Sequence, residues 1–317
     1  MSRPAIDRDA RIYVAGHRGM VGSAIARRLE AGGYHNLVTR TRAELDLIDF
    51  AATEAFLAAE KPDYIFMAAA RVGGIWANSA YPADFIRENL AVQLNLVEAA
   101  HRAGVQRLMF LGSSCIYPRD CPQPIREDYL LSGPLEPTNE PYAVAKIAGL
   151  KLCEAYNRQH GRQYVSVMPT NLYGPNDNYD GQTSHVFAAL LRRAHEAKQN
   201  GERALTVWGA GAARREFLHV DDMADACVFL MERDYGGAML NVGCGHDIAI
   251  ADLARLMLET VGAQAALSFD ASKPDGTPRK LLDVSRLTAL GWTARIGIEE
   301  GARLAYRAFL AERTADR

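Results

Sequence analysis

Apolar residues fall along this chain in short runs separated by longer stretches of helical periodicity, and that alternation points to a fold class. The run Arg11-Ile12-Tyr13-Val14-Ala15 stops at a glycine-rich turn, Gly16 to Gly22. A helical pattern then carries through Leu29 to a stop near Gly32-Gly33. Further runs predict strands at Asn36–Thr39, Pro62–Ala70, Arg107–Leu111 and Tyr164–Met168. Helical patterns cover Pro82–Gly104 and run from Tyr142 to about His160. Repeated strand-then-helix order implies a parallel sheet with helices on both faces. The expectation is a Rossmann-type doubly wound α/β fold that binds ligands beyond the carboxyl ends of its strands.

Past residue 170 the alternation breaks down. Gly, Asn, Asp and Pro crowd residues 174 to 181, Ser184-His185 opens a helical stretch reaching Arg192-Arg193, and two more helix-like patterns follow Asp247. The segment Glu216–Met223 is expected to lead back to the first unit, with Asp221 or Asp222 at a helix start, where anionic side chains are favoured. Two units result: a dinucleotide-binding domain of residues 9–170 and 216–245, and a smaller C-terminal α/β substrate-binding domain of residues 171–215 and 246–317.

With 317 residues, 49% of them hydrophobic, the chain can bury substantial cores, so disorder is not expected. Its 36 Lys and Arg against 38 Asp and Glu give a net charge of −2, which offers no electrostatic case for nucleic acid or an acidic membrane. Membrane-length apolar runs are absent from the sequence. The five cysteines are odd in number and form no CxxC pair, arguing against a disulfide framework and a zinc site alike. The expectation is a soluble cytoplasmic protein without metal.

The turn after the first strand has the spacing GxxGxxG, Gly16, Gly19 and Gly22, with Met20 and Val21 opening the helix. Glycines there let the backbone approach a pyrophosphate, which unpaired N–H groups of the helix can hold. After the second strand come Arg40 and Arg42, where an NAD site usually carries an acid. With Arg18 they favour a 2′-phosphate and therefore NADP. Leu111-Gly112-Ser113-Ser114 lies at another strand end, where chemistry is expected. Tyr142 and Lys146 stand four apart, on one helix face. A phenol titrates at about 10, and a neighbouring ammonium is expected to favour its phenolate and bring the proton within reach. For a nucleotide sugar, Arg193, Arg215 and Lys280 are candidate phosphate partners and Trp208 a flat surface for base or sugar.

Serine, then tyrosine, then lysine on such a chain resembles the extended short-chain dehydrogenase/reductase family. The resemblance spans essentially the whole chain. It narrows at Ala15–Ser23, Gly112–Pro118, Glu136–Tyr142, Met168–Pro175 and Lys273–Lys280, where the chain is similar to the branch of 3,5-epimerase/4-reductases acting on GDP-4-keto-6-deoxy-D-mannose. That resemblance implies catalytic roles for Ser113, Cys115, Tyr142, Lys146 and His185. It also implies NADP(H) contacts from Pro169, Thr170, Asn171, Leu172 and His185, substrate contacts from Arg193, Trp208, Arg215 and Asp275, and a homodimer. A 4-keto group acidifies the hydrogens on carbons 3 and 5, and a thiol near 8.5 with an imidazole near 6.5 can exchange protons there. A 4-epimerase or 4,6-dehydratase of the same fold, or an NADP-sensing regulator, are the competing readings. The arginines after the second strand and the Ser/Tyr/Lys set weigh against them.

Overall fold

The computed structural model describes residues 6–272 and 277–315. In chain order the first half runs β1 (Ile12–Ala15), α1 (Met20–Ala31), β2 (Leu37–Val38), α2 (Phe50–Glu60), β3 (Tyr64–Met67), α3 (Ile75–Ala80), α4 (Pro82–Arg102) and β4 (Arg107–Leu111). There follow α5 (Glu140–His160), β5 (Val165–Pro169), β6 (Asn171–Tyr173), α6 (Val186–Asn200), β7 (Ala204–Trp208), β8 (Arg214–His219) and α7 (Val220–Met231). Last come β9 (Leu240–Val242), β10 (Asp247–Ala249), α8 (Ile250–Val261), β11 (Ala266–Asp270), β12 (Arg279–Lys280), α9 (Ser285–Ala289) and α10 (Ile298–Ala315).

Six strands form one wholly parallel sheet in the order β2-β1-β3-β4-β5-β9. The period-two geometry of a strand sends alternate side chains to opposite faces. Ile12 and Val14 join a core with Ile25, Leu29, Met223 and Leu230 of α1 and α7. Tyr13 and Ala15 join another with Leu57, Leu96 and Leu150 of α2, α4 and α5. Both faces are thus covered, as the Rossmann-type doubly wound class requires. After β1 the chain moves first to one side, β2, and then to the other, β3, so the crevice falls at the carboxyl ends of β1 and β3.

A second body of structure is built from β6, β8, β10 and β12, the parallel pair β7 and β11, and helices α6, α8 and α10. Its core gathers Phe187, Leu191, Val207, Phe217, Leu253, Met257 and Phe309. The segment expected to return as one piece divides instead. Strand β8 belongs to this second sheet, and only α7 goes back to the first, tied to α1 by Arg27–Asp221 at 2.8 Å and Arg28–Asp225 at 2.7 Å. Asp221 and Asp222 do stand in the first turn of α7. At the seam, Glu216 is fully buried; its carboxylate accepts from Gly245 N at 2.7 Å and Leu282 N at 3.0 Å.

Candidate active site

The glycine turn explains itself residue by residue. Gly16 has φ +81°, and a Cβ there would sit 2.7 Å from Ala69 N at the end of β3. A Cβ on Gly22 would sit 2.1 Å from Gly16 O, so that glycine lets α1 close onto the turn. Gly19 differs: its added Cβ would meet only Gly16 O, at an ordinary 3.5 Å, so nothing in the fold itself demands glycine there. It is the N-cap of α1, without a side-chain cap bond, and the first turn holds no acid. A bare helix N-terminus with room above it fits a pyrophosphate.

The cleft beside this turn has a volume of about 370 Å³ and is lined by Gly16, His17, Arg18, Gly19 and the segment Arg40 to Ala43. Arg40 is partly committed elsewhere. Its guanidinium donates to Glu60 at 2.7 Å and lies 5.1 Å from the centre of the Phe56 ring. Arg42 is two-thirds exposed, with only loose ion pairs to Asp46 at 3.5 Å and Glu88 at 3.7 Å, and Arg18 is exposed as well. The lining contains no acid, so the residues fit a dinucleotide bearing a 2′-phosphate. Met20 and Val21 are half-buried in the first turn of α1. Further along the strand ends, Leu111 closes β4, and a Cβ on Gly112 would lie 2.3 Å from Met168 Sδ. Pro169 and Leu172 flank Thr170 and Asn171, whose side chains donate to Glu216 O at 3.2 and 2.8 Å.

Ser113, Ser114 and Cys115 continue from β4 into a 3₁₀ turn, Ser114–Ile116, that abuts the start of α5. Lys146 is buried, and its ammonium donates to Leu111 O at 2.8 Å. Burial alone lowers its pKa to about 8. The phenol of Tyr142 lies 5.8 Å, ring centre to Nζ, from that ammonium. Burial is the main cause that raises the phenol's pKa and the Cys115 sulfur adds to it, while a hydrogen bond with Ser113 opposes both. The expectation that Lys146 holds the phenol low is therefore corrected. In the chain alone, desolvation outweighs any such help and moves the phenol's pKa up, not down.

Cys115 Sγ accepts from Asn139 Nδ2 at 3.7 Å and from Lys280 Nζ at 3.6 Å. The ammonium of Lys280, expected at a phosphate, is at the thiol instead, while the Lys280 backbone pairs with Arg215 in the β12–β8 register. His185 is the N-cap of α6 and opens to solvent on one side. Desolvation of its ring, and then the Lys280 charge, hold its pKa below the usual histidine value. The loop before it is pinned by Gly74 N donating to Thr183 O at 2.9 Å. Arg193 donates to Thr206 O at 2.5 Å, beside the exposed Trp208 on the same strand β7. Arg215 is half-buried, and desolvation lowers its pKa. Asp275 lies outside the described residues.

The strand-end serines, the Tyr/Lys pair and the glycine turn thus follow the carboxyl ends of β1 and β4, inner strands of the parallel sheet, or pack beside them. The chain belongs to the NAD dependent epimerase/dehydratase family, whose sequence pattern matches residues 12–243. Within that family it is 56% identical to GDP-L-fucose synthase 1 of Arabidopsis thaliana, over 96% of this chain and 94% of that one. It is 55% identical to GDP-L-fucose synthase of Escherichia coli (strain K12), over 95% of this chain and 96% of that one. Among solved structures it superposes on a GDP-L-fucose synthetase from Naegleria fowleri bound to NADP, with a TM-score of 0.92 and 26% identity, covering 99% of this chain and 96% of that chain.

Proposed function

We propose that this chain is an NADPH-dependent 3,5-epimerase and 4-reductase that converts GDP-4-keto-6-deoxy-D-mannose to GDP-L-fucose. The observation that carries the reading is the meeting of two kinds of group at one strand end. Cys115 and His185 share the neighbourhood of Lys280, and Cys115 also bears on Tyr142, which bonds Ser113. The relatives that match nearly the whole chain are named for making GDP-L-fucose, the product of that reaction.

Gly16, Gly19, Gly22 and the N-terminus of α1 hold the cofactor's pyrophosphate, and Arg18 and Arg42 take its 2′-phosphate. Arg40 shapes that side of the cleft, and Lys146 orients the ribose. When bound, NADPH supplies the hydride that reduces carbon 4. Arg193 and Arg215 receive the GDP phosphates, Trp208 offers its exposed face, and Asp275 is a further substrate contact. Cys115 and His185 remove and return protons at carbons 3 and 5. His185 is suited to accept one because desolvation of its ring, and then the Lys280 charge, favour the neutral imidazole. Ser113 donates to the carbonyl oxygen, and Tyr142, kept protonated by burial, gives that oxygen its proton.

In this reading residues 9–170 with α7 and β9 form the cofactor domain, and residues 171–215 and 246–317, joined by the rest of strand β8, form the substrate domain. The protein works as a cytoplasmic homodimer paired through α4 and α5, where Leu94 and Val144 are exposed. No helix among the described residues is long and apolar enough to cross a membrane, and all five cysteines are free thiols, which suits a reducing compartment.

The test is to mix purified protein, NADPH and the ketosugar in deuterated water. NADPH should be oxidised only when the ketosugar is present. The product should be GDP-L-fucose labelled at carbons 3 and 5, and Cys115→Ser should lose the label while still binding NADPH. Turnover of a different ketosugar, with none of this one, would reject the assignment.

A further inference from the structure

Asn139 heads α5 as its N-cap, with φ −121° and ψ 12°, yet makes no side-chain bond to the helix. An asparagine in that place ordinarily accepts from a backbone N–H of the first turn, a bond worth about 0.5–2 kcal/mol. Here its Nδ2 donates to Cys115 Sγ at 3.7 Å, and its Oδ1 is buried with no partner among the described residues. A buried acceptor left unsatisfied is itself unfavourable. The side chain thus forgoes a cap and leaves an oxygen unpaired while holding one sulfur atom, a combination that the stability of the helix does not explain. From the other side Lys280, on β12, donates to the same sulfur at 3.6 Å, so two separate elements grip it. Cys115, Glu136, Asn139 and Lys280 line one small cavity of about 50 Å³.

We propose that Asn139 is a positioning residue for proton transfer at the sugar ring, its amide fixing the Cys115 sulfur against the reacting carbon, with Lys280 as the second grip. The inference rests on the ketosugar reaction proposed above. Its physical reason is that proton transfer demands close, aligned atoms, and a displacement of about 1 Å costs on the order of 10²-fold in rate. The charged and titratable groups around the sulfur are Lys280, Tyr142 and, beyond Lys280, His185, while Glu136, Arg119 and Arg279 line the same cavity.

The experiment follows solvent deuterium entering carbons 3 and 5 of the ketosugar in the absence of NADPH, for wild type, Asn139→Ala and Asn139→Asp, across pH 6 to 9. Exchange by the wild type tests the reaction itself; if it fails, the proposed function falls first. With wild-type exchange in hand, Asn139→Ala is expected to lose about 10²-fold in kcat, with KM for the ketosugar changed by less than roughly threefold. Its melting temperature should stay near wild type, since no cap bond is lost. Asn139→Asp retains a capping side chain but sets a negative charge beside the thiol, so its exchange profile should move to higher pH, a shift that a structural role would not cause. Should Asn139→Ala fail to fold, the Asp profile decides. Wild-type rate and pH profile in the variants that fold would overturn the proposal.

Discussion

Lys146 shows how burial changes what a residue pair can do. At reference values an ammonium beside a phenol lowers the phenol's pKa and favours the phenolate. Inside this fold both groups are desolvated, which pushes the phenol up and the ammonium down, to about 8. The result suits the proton-donor role proposed for Tyr142. The same burial weakens the fold. A lysine with a lowered folded-state pKa binds fewer protons folded than unfolded, so its penalty is fully present below about 8 and fades as pH rises toward 10.5. A shift of that size corresponds to about 3 kcal/mol, partly offset by the bond to Leu111 O. Lys146→Met should therefore melt a few degrees above wild type at pH 7, with the gain shrinking toward pH 10, while ketosugar reduction falls by on the order of 10²-fold or more. A lower melting point at pH 7 would contradict this account.

At the scale of elements, the strand–turn–helix that opens the chain separates two glycines that the fold itself requires from one that it does not. Gly22→Ala places a methyl against Gly16 O and should destabilise by about 1–3 kcal/mol or more. Gly19→Ala meets only Gly16 O, at an ordinary 3.5 Å, and should melt near wild type, yet raise KM for NADPH by roughly tenfold or more, because its methyl intrudes where the proposed reading puts the pyrophosphate. Denaturation and cofactor titration on the two variants check both halves, and wild-type NADPH affinity in Gly19→Ala would remove that glycine from the cofactor site. Elements with strong periodicity were legible: β1, β3, β4, β5, α1, α4 and α5 fall within the expected stretches or a residue or two beyond them. Strand β2 is only two residues long, and α2 was missed because its alanine-rich run buries just Thr53 and Leu57, too few positions to leave a pattern. Helix α6 runs on to Asn200, past Arg193, because Gly201 in the left-handed conformation is what stops it.

At the scale of the whole molecule, Glu216 binds the two bodies of structure together. Its buried carboxylate joins the backbones that follow β9 and β12, and its own carbonyl accepts from Thr170 and Asn171, which the proposal places beside the cofactor. Burial raises its pKa, and the backbone N–H groups only partly oppose that. Because N–H donors face both oxygens, Glu216→Gln turns an amide NH₂ toward one of them, and a loss of about 1–3 kcal/mol is expected in urea denaturation. Stability equal to wild type would show that the seam does not depend on this carboxylate.

The sequence by itself determined the βα alternation, the parallel sheet, the glycine turn and the residue types at the strand ends, because periodicity, turn chemistry and helix signals act over a few neighbouring residues. Only the tertiary structure decided that Lys280, 165 positions along the chain from Cys115, sets its ammonium at that sulfur. It likewise decided that Asn139 turns away from its own helix and that burial raises the pKa of Tyr142 where the neighbouring lysine was expected to lower it. Desolvation and through-space contact depend on which distant segments pack together, and no local pattern encodes them.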